Sequence, residues 1–220
     1  MMKKCVVLFS GGLDSTTCLA IAKNEGYEAY AMTFDYGQRH NVEVRKARAI
    51  AKKMGVAEHK VMKVDLRQIG GSALTDDIEV PKDRAIESGV PVTYVPFRNG
   101  ILLSFAVAWA EVIGANEIFA GMNAVDYSGY PDCRGEFIGA FVLAANMGTK
   151  SGGFKVVLPL LRLSKKEIVL LAAREGAPIG MTHSCYSPVE GMACGHCDSC
   201  QLRLKGFREA GMKDPVEYYD

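Results

Sequence analysis

The chain has 220 residues, of which 49% are hydrophobic and 23% are charged, and its formal net charge at pH 7 is +1. These values fit one sizeable globular α/β domain and leave little length for a second full domain. The near-neutral charge argues against a broad surface for gripping nucleic acid, and no apolar window reaches the length of a membrane span, so we expect a cytoplasmic protein with neither kind of partner.

The first third of the chain alternates short apolar runs with helical patterns. The predicted elements are a strand at Cys5–Phe9, a helix at Asp14–Asn24, a strand at Tyr27–Phe34, a helix at Val42–Met54 and a strand at His59–Leu66. This order implies right-handed crossovers. We therefore predict an α/β fold with a parallel, twisted sheet that carries helices on both faces.

The middle of the chain begins with an irregular stretch, Ile69–Pro91, whose length is typical of an active-site loop or lid. Regular elements then resume. They are helices at Asn99–Ile113, Glu136–Asn146, Lys165–Arg174 and Asp198–Ala210, with strands at Glu117–Ala120 and Val156–Leu158.

The hexapeptide SGGLDS at Ser10–Ser15 follows a buried strand and opens a helix, which brings backbone N–H groups and the positive end of a helix dipole to one anion site. Its two glycines let the backbone approach a ligand, and its serines add hydroxyl donors. Asp14 is expected to cap the helix or to help hold Mg²⁺. The sequence lacks the Gly-Lys-Ser/Thr ending of a Walker A loop and the GxGxxG of a dinucleotide fold. The alternative is an ordinary capped turn.

With Thr16 following it, this hexapeptide resembles the pyrophosphate-binding loop (PP-loop) of the ATP pyrophosphatase superfamily. The resemblance implies an adenine-nucleotide hydrolase-like fold that cleaves ATP between the α and β phosphates and activates a substrate as an adenylate. ATP would enter with Mg²⁺. The implied ATP-binding residues are Phe9, Ser10, Gly11, Gly12, Leu13, Asp14, Ser15 and Thr16.

The cysteine pattern indicates a metal site near the end of the chain. Four of the seven cysteines fall within sixteen residues, as Cys185, Cys194, Cys197 and Cys200, and the CxxC spacing occurs twice. Four thiolates complete a tetrahedron around one structural Zn²⁺. An iron–sulfur cluster and four unrelated buried cysteines are the alternatives. His196 is taken as a bystander, and Cys5 and Cys18 as buried apolar residues. Residues 1–180 are assigned to an ATP-binding domain and 181–220 to a zinc-binding segment packed on it.

Two motifs in the middle of the chain suggest a ligand site. In VPFRN, Asn99 is positioned to cap a helix while Arg98 faces a ligand; a solvated arginine is the alternative. The stretch Tyr127–Arg134 combines aromatic rings with Asp132 and Arg134, which suits a planar, carboxylate-bearing ligand or, alternatively, an anchored loop. Lys165 begins a helix and either reaches phosphates or is solvated.

Together these motifs resemble one family over essentially the whole chain, the 7-cyano-7-deazaguanine synthase (QueC) family of queuosine biosynthesis. The resemblance depends on FSGGLDSTTCL, TFDYGQRH, VPxRN, DYSGYPDCRGEF, PLLRLSKKEI and CY…CGHCDSCQLR. It implies a carbon–nitrogen ligase that converts 7-carboxy-7-deazaguanine and free ammonia to the nitrile preQ0, with two rounds of ATP activation. It also implies a homodimer.

The same resemblance assigns roles to residues. Arg98 and Asn99 lie beside the nucleotide, and the catalytic residues are Asp14, Ser15 and Lys165. The substrate-binding residues are Tyr130, Asp132 and Arg134, and the zinc ligands are Cys185, Cys194, Cys197 and Cys200. The chain departs from the family pattern at Phe97, where relatives usually carry glycine, and at the Thr-His pair that ends with His183.

Two other functions remain open at this point. A PP-loop enzyme that thiolates or lysinylates tRNA would need a basic extension, and its thiolating form would need cysteines near the loop. A nucleotide sensor with a zinc module would leave DYSGYPDCR unexplained. His40 is expected to be a surface polar residue, with a place beside the nucleotide as the alternative.

Overall fold

The computed structural model describes residues 2–38, 42–83, 89–125 and 130–219. The strands are β1 (Lys4–Leu8), β2 (Glu28–Asp35), β3 (Glu58–Lys63), β4 (Glu117–Ala120) and β5 (Lys155–Val157). The helices are α1 (Leu13–Asn24), α2 (Val42–Met54), α3 (Arg98–Ile113), α4 (Gly135–Gly148), α5 (Lys165–Arg174) and α6 (Asp198–Glu209). Among the described residues no helix is long and apolar enough to cross a membrane.

The five strands form one parallel sheet in the order β3-β2-β1-β4-β5. In the central strand β1, Val6 lies opposite Tyr30 of β2 and Ile118 of β4. The chain runs outward from β1 to β3 on one side and then crosses to β4 on the other. The strand order therefore reverses beside β1, and the crevice at the carboxyl ends of β1 and β4 is where such sheets bind ligands.

Both faces of the sheet are covered, as predicted. Alternate residues of β1 enter opposite cores, because successive side chains of a strand point to opposite faces. Cys5 and Val7 pack with the buried faces of α1, α2 and α5, whereas Val6 packs with α3 and α4. Cys5 and Cys18 are fully buried apolar residues, as expected.

The predicted elements are confirmed within a few residues, with one shortened strand. β3 ends at Lys63 rather than at Leu66, because the Asp65 carboxylate accepts a hydrogen bond from the backbone N–H of Arg67 (3.2 Å) and caps a short 3₁₀ helix at Leu66–Gln68. Two further 3₁₀ helices occupy Pro131–Cys133 and Ile179–Met181.

The stretch expected to be an active-site loop packs in part against the cysteine cluster. Its described apolar residues Ala73, Leu74 and Val80 pack in one cluster with the four cysteines, and none of its described residues lines the main cavity. Leu74 lines a second, smaller cavity together with Glu43 and Tyr186, and the interpretation of residues 69–91 as an active-site loop or lid stays a prediction.

The C-terminal segment is held together by a buried hydrogen-bond network centred on α6. The Arg203 guanidinium is buried and donates to both carboxylate oxygens of Asp214 (2.7 and 3.0 Å) and to the Thr182 hydroxyl (2.8 Å). The Tyr218 hydroxyl donates to the same carboxylate at 2.7 Å. This network holds the end of the chain against α6. The division into units 1–180 and 181–220 stays a prediction.

Candidate active site

A cavity of about 240 Å³ opens at the carboxyl ends of β1, β2 and β4. Its first wall is the phosphate loop, Ser10–Ser15, together with Lys165. Its second wall, called the aromatic wall below, consists of Tyr36, Glu43, Arg98, Tyr130 and Tyr186. Met32, Thr33, Phe34 and Asn123 line the cavity between the two walls.

The phosphate loop is preformed by its own hydrogen bonds. The Ser10 backbone N–H donates to the Ser15 hydroxyl (3.2 Å), and the Gly12 N–H donates to the Ser10 hydroxyl (3.3 Å). Gly11 has a φ of +80°, and a Cβ there would lie 2.8 Å from the backbone nitrogen of Ala47. Both the conformation and the close approach to α2 therefore require glycine.

Asp14 and Lys165 form an ion pair at the entrance to this loop. The Lys165 ammonium lies 2.9 and 3.0 Å from the two carboxylate oxygens of Asp14. The residue at the N-cap of α1 is Gly12, which makes no side-chain cap, so the expectation that Asp14 caps the helix is wrong. Asp14 lies in the first turn and holds Lys165 beside the loop instead.

Lys165 is fixed from two further directions. Ser164 and Glu167 form a capping box at the start of α5, which defines where the helix begins. On the other side, a Cβ at Gly206 would meet the Lys165 Cγ and would lie 3.0 Å from the Lys165 carbonyl carbon. The missing side chain at Gly206 thus lets α6 lie directly on Lys165. The interpretation of Lys165 as a solvated lysine is wrong, since the residue is only 8% exposed.

The N-terminus of α3 differs from its predicted form. The helix begins at Arg98, and Phe97 precedes it in a left-handed conformation, with a φ of +54°. The Asn99 N–H donates to a carboxylate oxygen of Asp132 at 2.9 Å. The prediction that Asn99 caps this helix is therefore wrong, because Asp132 supplies the capping oxygen. The Asn99 amide donates to the Cys133 sulfur (3.2 Å) and helps to fix the turn beside the cavity.

The structure brings only part of the predicted substrate set to the cavity. Tyr130 is 5% exposed and lines the aromatic wall, where its hydroxyl lies 3.2 Å from the Thr93 hydroxyl. Asp132 is buried below the wall. Arg134 is exposed, precedes α4 and does not line the cavity. Tyr127 and His40 lie outside the described residues.

Three members of the aromatic wall, Tyr36, Glu43 and Tyr186, were not among the predicted site residues. Tyr36 lies within TFDYGQRH, Glu43 is in the first turn of α2, and Tyr186 follows a cysteine of the metal site. Burial raises the pKa of Glu43 to about 7, and the charge of Arg98 opposes that rise. In the sequence, the feature that could have pointed to Glu43 is that it is the single carboxylate on α2, which is otherwise basic.

The four cysteines form one buried cluster. Their sulfur atoms all lie within 4.8 Å of one another. Backbone N–H groups of Ser187 and Cys194 donate to the Cys185 sulfur, both at 3.3 Å. Such donors stabilise thiolates, so the residues present fit a four-thiolate metal site. His196 lies outside the cluster, with its Nδ1 3.0 Å from a carboxylate oxygen of Asp83, which confirms it as a bystander.

The cysteine segment also contacts both walls of the cavity. The His183 N–H donates to the Gly11 carbonyl (3.0 Å), and the Ser184 hydroxyl accepts from the Leu13 N–H (3.4 Å). The Tyr186 N–H donates to the Cys197 sulfur at 3.4 Å. A metal bound here would therefore brace the phosphate loop and the aromatic wall together.

Comparison with known proteins agrees with this geometry. A family model described as queuosine biosynthesis protein QueC matches residues 4–211. The 7-cyano-7-deazaguanine synthase of Geotalea daltonii is 59% identical over 224 residues, covering 99% of this chain and 97% of that protein. The synthase of that name from Geobacter metallireducens is also 59% identical, covering 99% and 94%.

Solved structures share the fold at much lower identity. NMN synthetase from Francisella tularensis matches with a TM-score of 0.53 and 15% identity, covering 96% of this chain and 78% of that one. This likeness supports the predicted α/β fold class and nothing finer.

Proposed function

Because the chain belongs to the QueC family of queuosine biosynthesis proteins, we propose that it is a carbon–nitrogen ligase that makes 7-cyano-7-deazaguanine (preQ0). The substrates are 7-carboxy-7-deazaguanine, ammonia and ATP with Mg²⁺. The observation that carries the proposal is one cavity that is lined by the phosphate loop and by the tyrosines Tyr36, Tyr130 and Tyr186.

The proposed reaction has two activations. A carboxylate oxygen of the acid attacks the α phosphorus of ATP, pyrophosphate leaves, and ammonia displaces AMP to give the amide. The amide oxygen then attacks a second ATP, pyrophosphate leaves again, and the amide nitrogen loses one proton. Loss of AMP together with the second N–H proton then forms the C≡N bond. In both steps, negative charge develops on the leaving pyrophosphate. Hydrogen-bond donors that are already in position around this charge stabilise the transition state.

The phosphate loop has the groups that such a step requires. N–H groups of the loop and the hydroxyls of Ser10 and Ser15 surround the anion position, and Lys165 adds a positive charge. Asp14 pairs with Lys165 through both oxygens, and this contact orients the ammonium. We therefore propose Lys165 as the phosphate contact, Asp14 as its partner and Ser15 as a donor within the loop. Flanking Phe9 and Thr16 complete the ATP site.

The aromatic wall is the proposed deazaguanine site. Tyr130 supplies a ring face, and Arg98 and Asn99 connect this wall to the nucleotide. Asp132 acts through Asn99, whose N–H it accepts. Arg134, which is exposed and does not line the cavity, remains a proposed substrate contact.

The cysteine cluster is proposed to hold one structural Zn²⁺ per chain. Four buried thiolates leave no coordination position for water, so the metal would stabilise the segment and take no part in the reaction. All seven cysteines are free thiols, which suits the reducing cytoplasm, where we place the reaction.

A homodimer is part of the proposal, and α4 supplies a surface for it. This helix is apolar along most of its length, yet Leu143 and Met147 are 64% and 81% exposed. The exposed stripe also contains Gly139, Ala140 and Ala144, which allow two helices to approach closely. A second copy packed about a two-fold axis would cover this face with its own. Sedimentation of the wild-type chain and of Leu143→Glu tests the contact; a wild-type monomer would contradict it.

Product analysis tests the function. The chain is incubated with 7-carboxy-7-deazaguanine, ¹⁵N-labelled ammonium and ATP, and the products are examined by mass spectrometry. We expect a nitrile that carries one ¹⁵N atom, with the labelled amide appearing earlier. A product that stops at the amide, or no labelled product, would contradict the proposal.

A further inference from the structure

We propose that Glu43 recognises the guanine-like edge of the substrate, by accepting hydrogen bonds from its ring N1–H and its 2-amino group. This inference rests on the proposed function, which supplies the substrate. One carboxylate of the aromatic wall would then select a deazaguanine over related ring systems.

The position of Glu43 follows from the packing of α2. Ala47 lies against Gly11, where a Cβ would come within 2.8 Å of the Ala47 nitrogen. Residues four apart lie on the same face of a helix, so Glu43 is one turn from this contact and on the same side. Glu43 lines the cavity together with the phosphate loop. The backbone of Glu43 is therefore about one helical turn from the contact with the loop, and its side chain and the loop line one cavity that a small bicyclic ligand can bridge.

The chemistry of the substrate sets its orientation. Its carboxyl group is on the five-membered ring and must approach the α phosphate of ATP, beside the phosphate loop. The N1–H and 2-amino donors are on the opposite side of the bicycle and therefore point away from the loop. A carboxylate accepts hydrogen bonds only and has two oxygens, which match two adjacent N–H donors as they match an arginine fork.

The neighbours of Glu43 suit this role. Tyr36 and Tyr186 line the same cavity, and the Arg98 guanidinium lies over the Tyr36 ring, 5.9 Å from its centre, so aromatic groups and a fixed cation surround the position of a planar ligand. The Arg98 guanidinium also faces the cavity, and its charge favours the ionised carboxylate. Burial raises the pKa of Glu43 to about 7, so this carboxyl group is only partly ionised at neutral pH. Two donors from the ligand would restore the ionised form.

A different role for Glu43 would be as a base that takes a proton from ammonium. The same pKa suits a base at neutral pH. The geometry favours recognition, because the positive charge of Arg98 in the same wall repels ammonium. The two roles differ in which substrate loses affinity when the carboxylate is removed.

The test compares two acids. Steady-state kinetics of wild-type, Glu43→Gln and Glu43→Asp chains are measured with 7-carboxy-7-deazaguanine and with its analogue that lacks the 2-amino group. We expect the wild-type chain to prefer the natural acid by about 10²-fold or more in kcat/KM. Glu43→Gln should lose about 10²-fold with the natural acid and show little preference between the two. KM for ATP and for ammonium should stay unchanged.

Two variants keep the test decisive. Glu43→Asp keeps the carboxylate but shortens the side chain by one methylene group. It should therefore show a preference for the 2-amino acid between those of the wild-type and Glu43→Gln chains. Glu209→Gln, a change of the same type at an exposed residue of α6, should retain the full preference. Thermal unfolding of each variant reports whether it folds, and binding of the two acids by calorimetry replaces kinetics for any folded but inactive variant.

The outcomes separate the two proposals. No nitrile from the wild-type chain overturns the proposed function. Nitrile formation with a Glu43→Gln chain that keeps its preference for the 2-amino acid overturns the role of Glu43 alone. A rise in KM for ammonium with that preference intact also overturns it and assigns Glu43 to ammonia.

Discussion

The two walls of the cavity are built in different ways. The phosphate loop is six consecutive residues that hydrogen bonds among Ser10, Gly12 and Ser15 hold in shape, and contacts from Lys165 and the cysteine segment complete it. The aromatic wall takes its five residues from five separate parts of the chain, between Tyr36 and Tyr186. Chemistry common to many ATP-cleaving proteins can thus be held by a local motif, whereas recognition of one substrate depends on the tertiary fold. The predictions below test this contrast.

The largest effect is expected at Lys165. Lys165→Met should lower kcat by about 10³-fold, because it removes a preorganised charge from the leaving pyrophosphate. The loss should be similar for the acid and for the amide, since both react at the phosphate loop. Pyrophosphate release with each substrate measures it. Lys166→Met, a change at the exposed neighbour, should be nearly silent. A fall in kcat with only one of the two substrates would indicate that Lys165 contacts the substrate at the aromatic wall and not the pyrophosphate.

Cys197→Ser should affect both walls. The substitution removes one of four metal ligands, and structural zinc sites contribute on the order of 10 kcal/mol to folding. We expect lower metal content and a fall in Tm on the order of 10 °C. Activity should fall too, because the segment contacts Gly11 and carries Tyr186. Metal analysis and calorimetry on one sample measure this; unchanged zinc stoichiometry would exclude Cys197 as a ligand.

Gly206→Ala tests whether α6 positions Lys165. A methyl group there would press on the Lys165 side chain, so kcat should fall about tenfold while KM for the acid stays constant. Gly148→Ala, where the added Cβ meets open space, is the matched control. A change in KM for the acid without a change in kcat would show that the contact serves the aromatic wall instead.

Much of the fold was predictable from the sequence because it depends on local patterns. The buried run at β1, the helix after SGGLDS and the paired CxxC motifs each specify their own conformation or ligand set. The composition of the aromatic wall was not predictable, since no spacing connects Glu43 to Tyr186. The cap of α3 was missed for the same reason, because its oxygen comes from Asp132, 33 residues further along the chain.

The pH profile should sharpen the contrast between the walls. With a pKa of about 7, Glu43 ionises as the pH rises, so kcat/KM for the acid should rise up to tenfold per unit below pH 7 and level off above it. Arg98, Tyr36, Tyr186 and His183 face the same space. The Glu43→Gln profile is the control, because that variant loses the carboxylate and keeps the other groups that line the cavity. An identical profile in that variant would assign the titration elsewhere.

The smallest effect is expected at Arg134. This side chain is exposed, so charge contacts with it are screened by water. Arg134→Ala should raise KM for the acid only a few-fold, with KM for ATP unchanged. Kinetics with each substrate varied in turn would show this, and a rise in KM for ATP alone would assign Arg134 to the nucleotide.

The most direct test of the whole account is the dependence of pyrophosphate release on the substrate. Pyrophosphate is measured with ATP and ammonium present, and 7-carboxy-7-deazaguanine, its amide or tRNA is then added. The account predicts two pyrophosphates for each nitrile made from the acid, one for each nitrile made from the amide, and none with tRNA. Release driven by tRNA, or equal release without any acid, would contradict it.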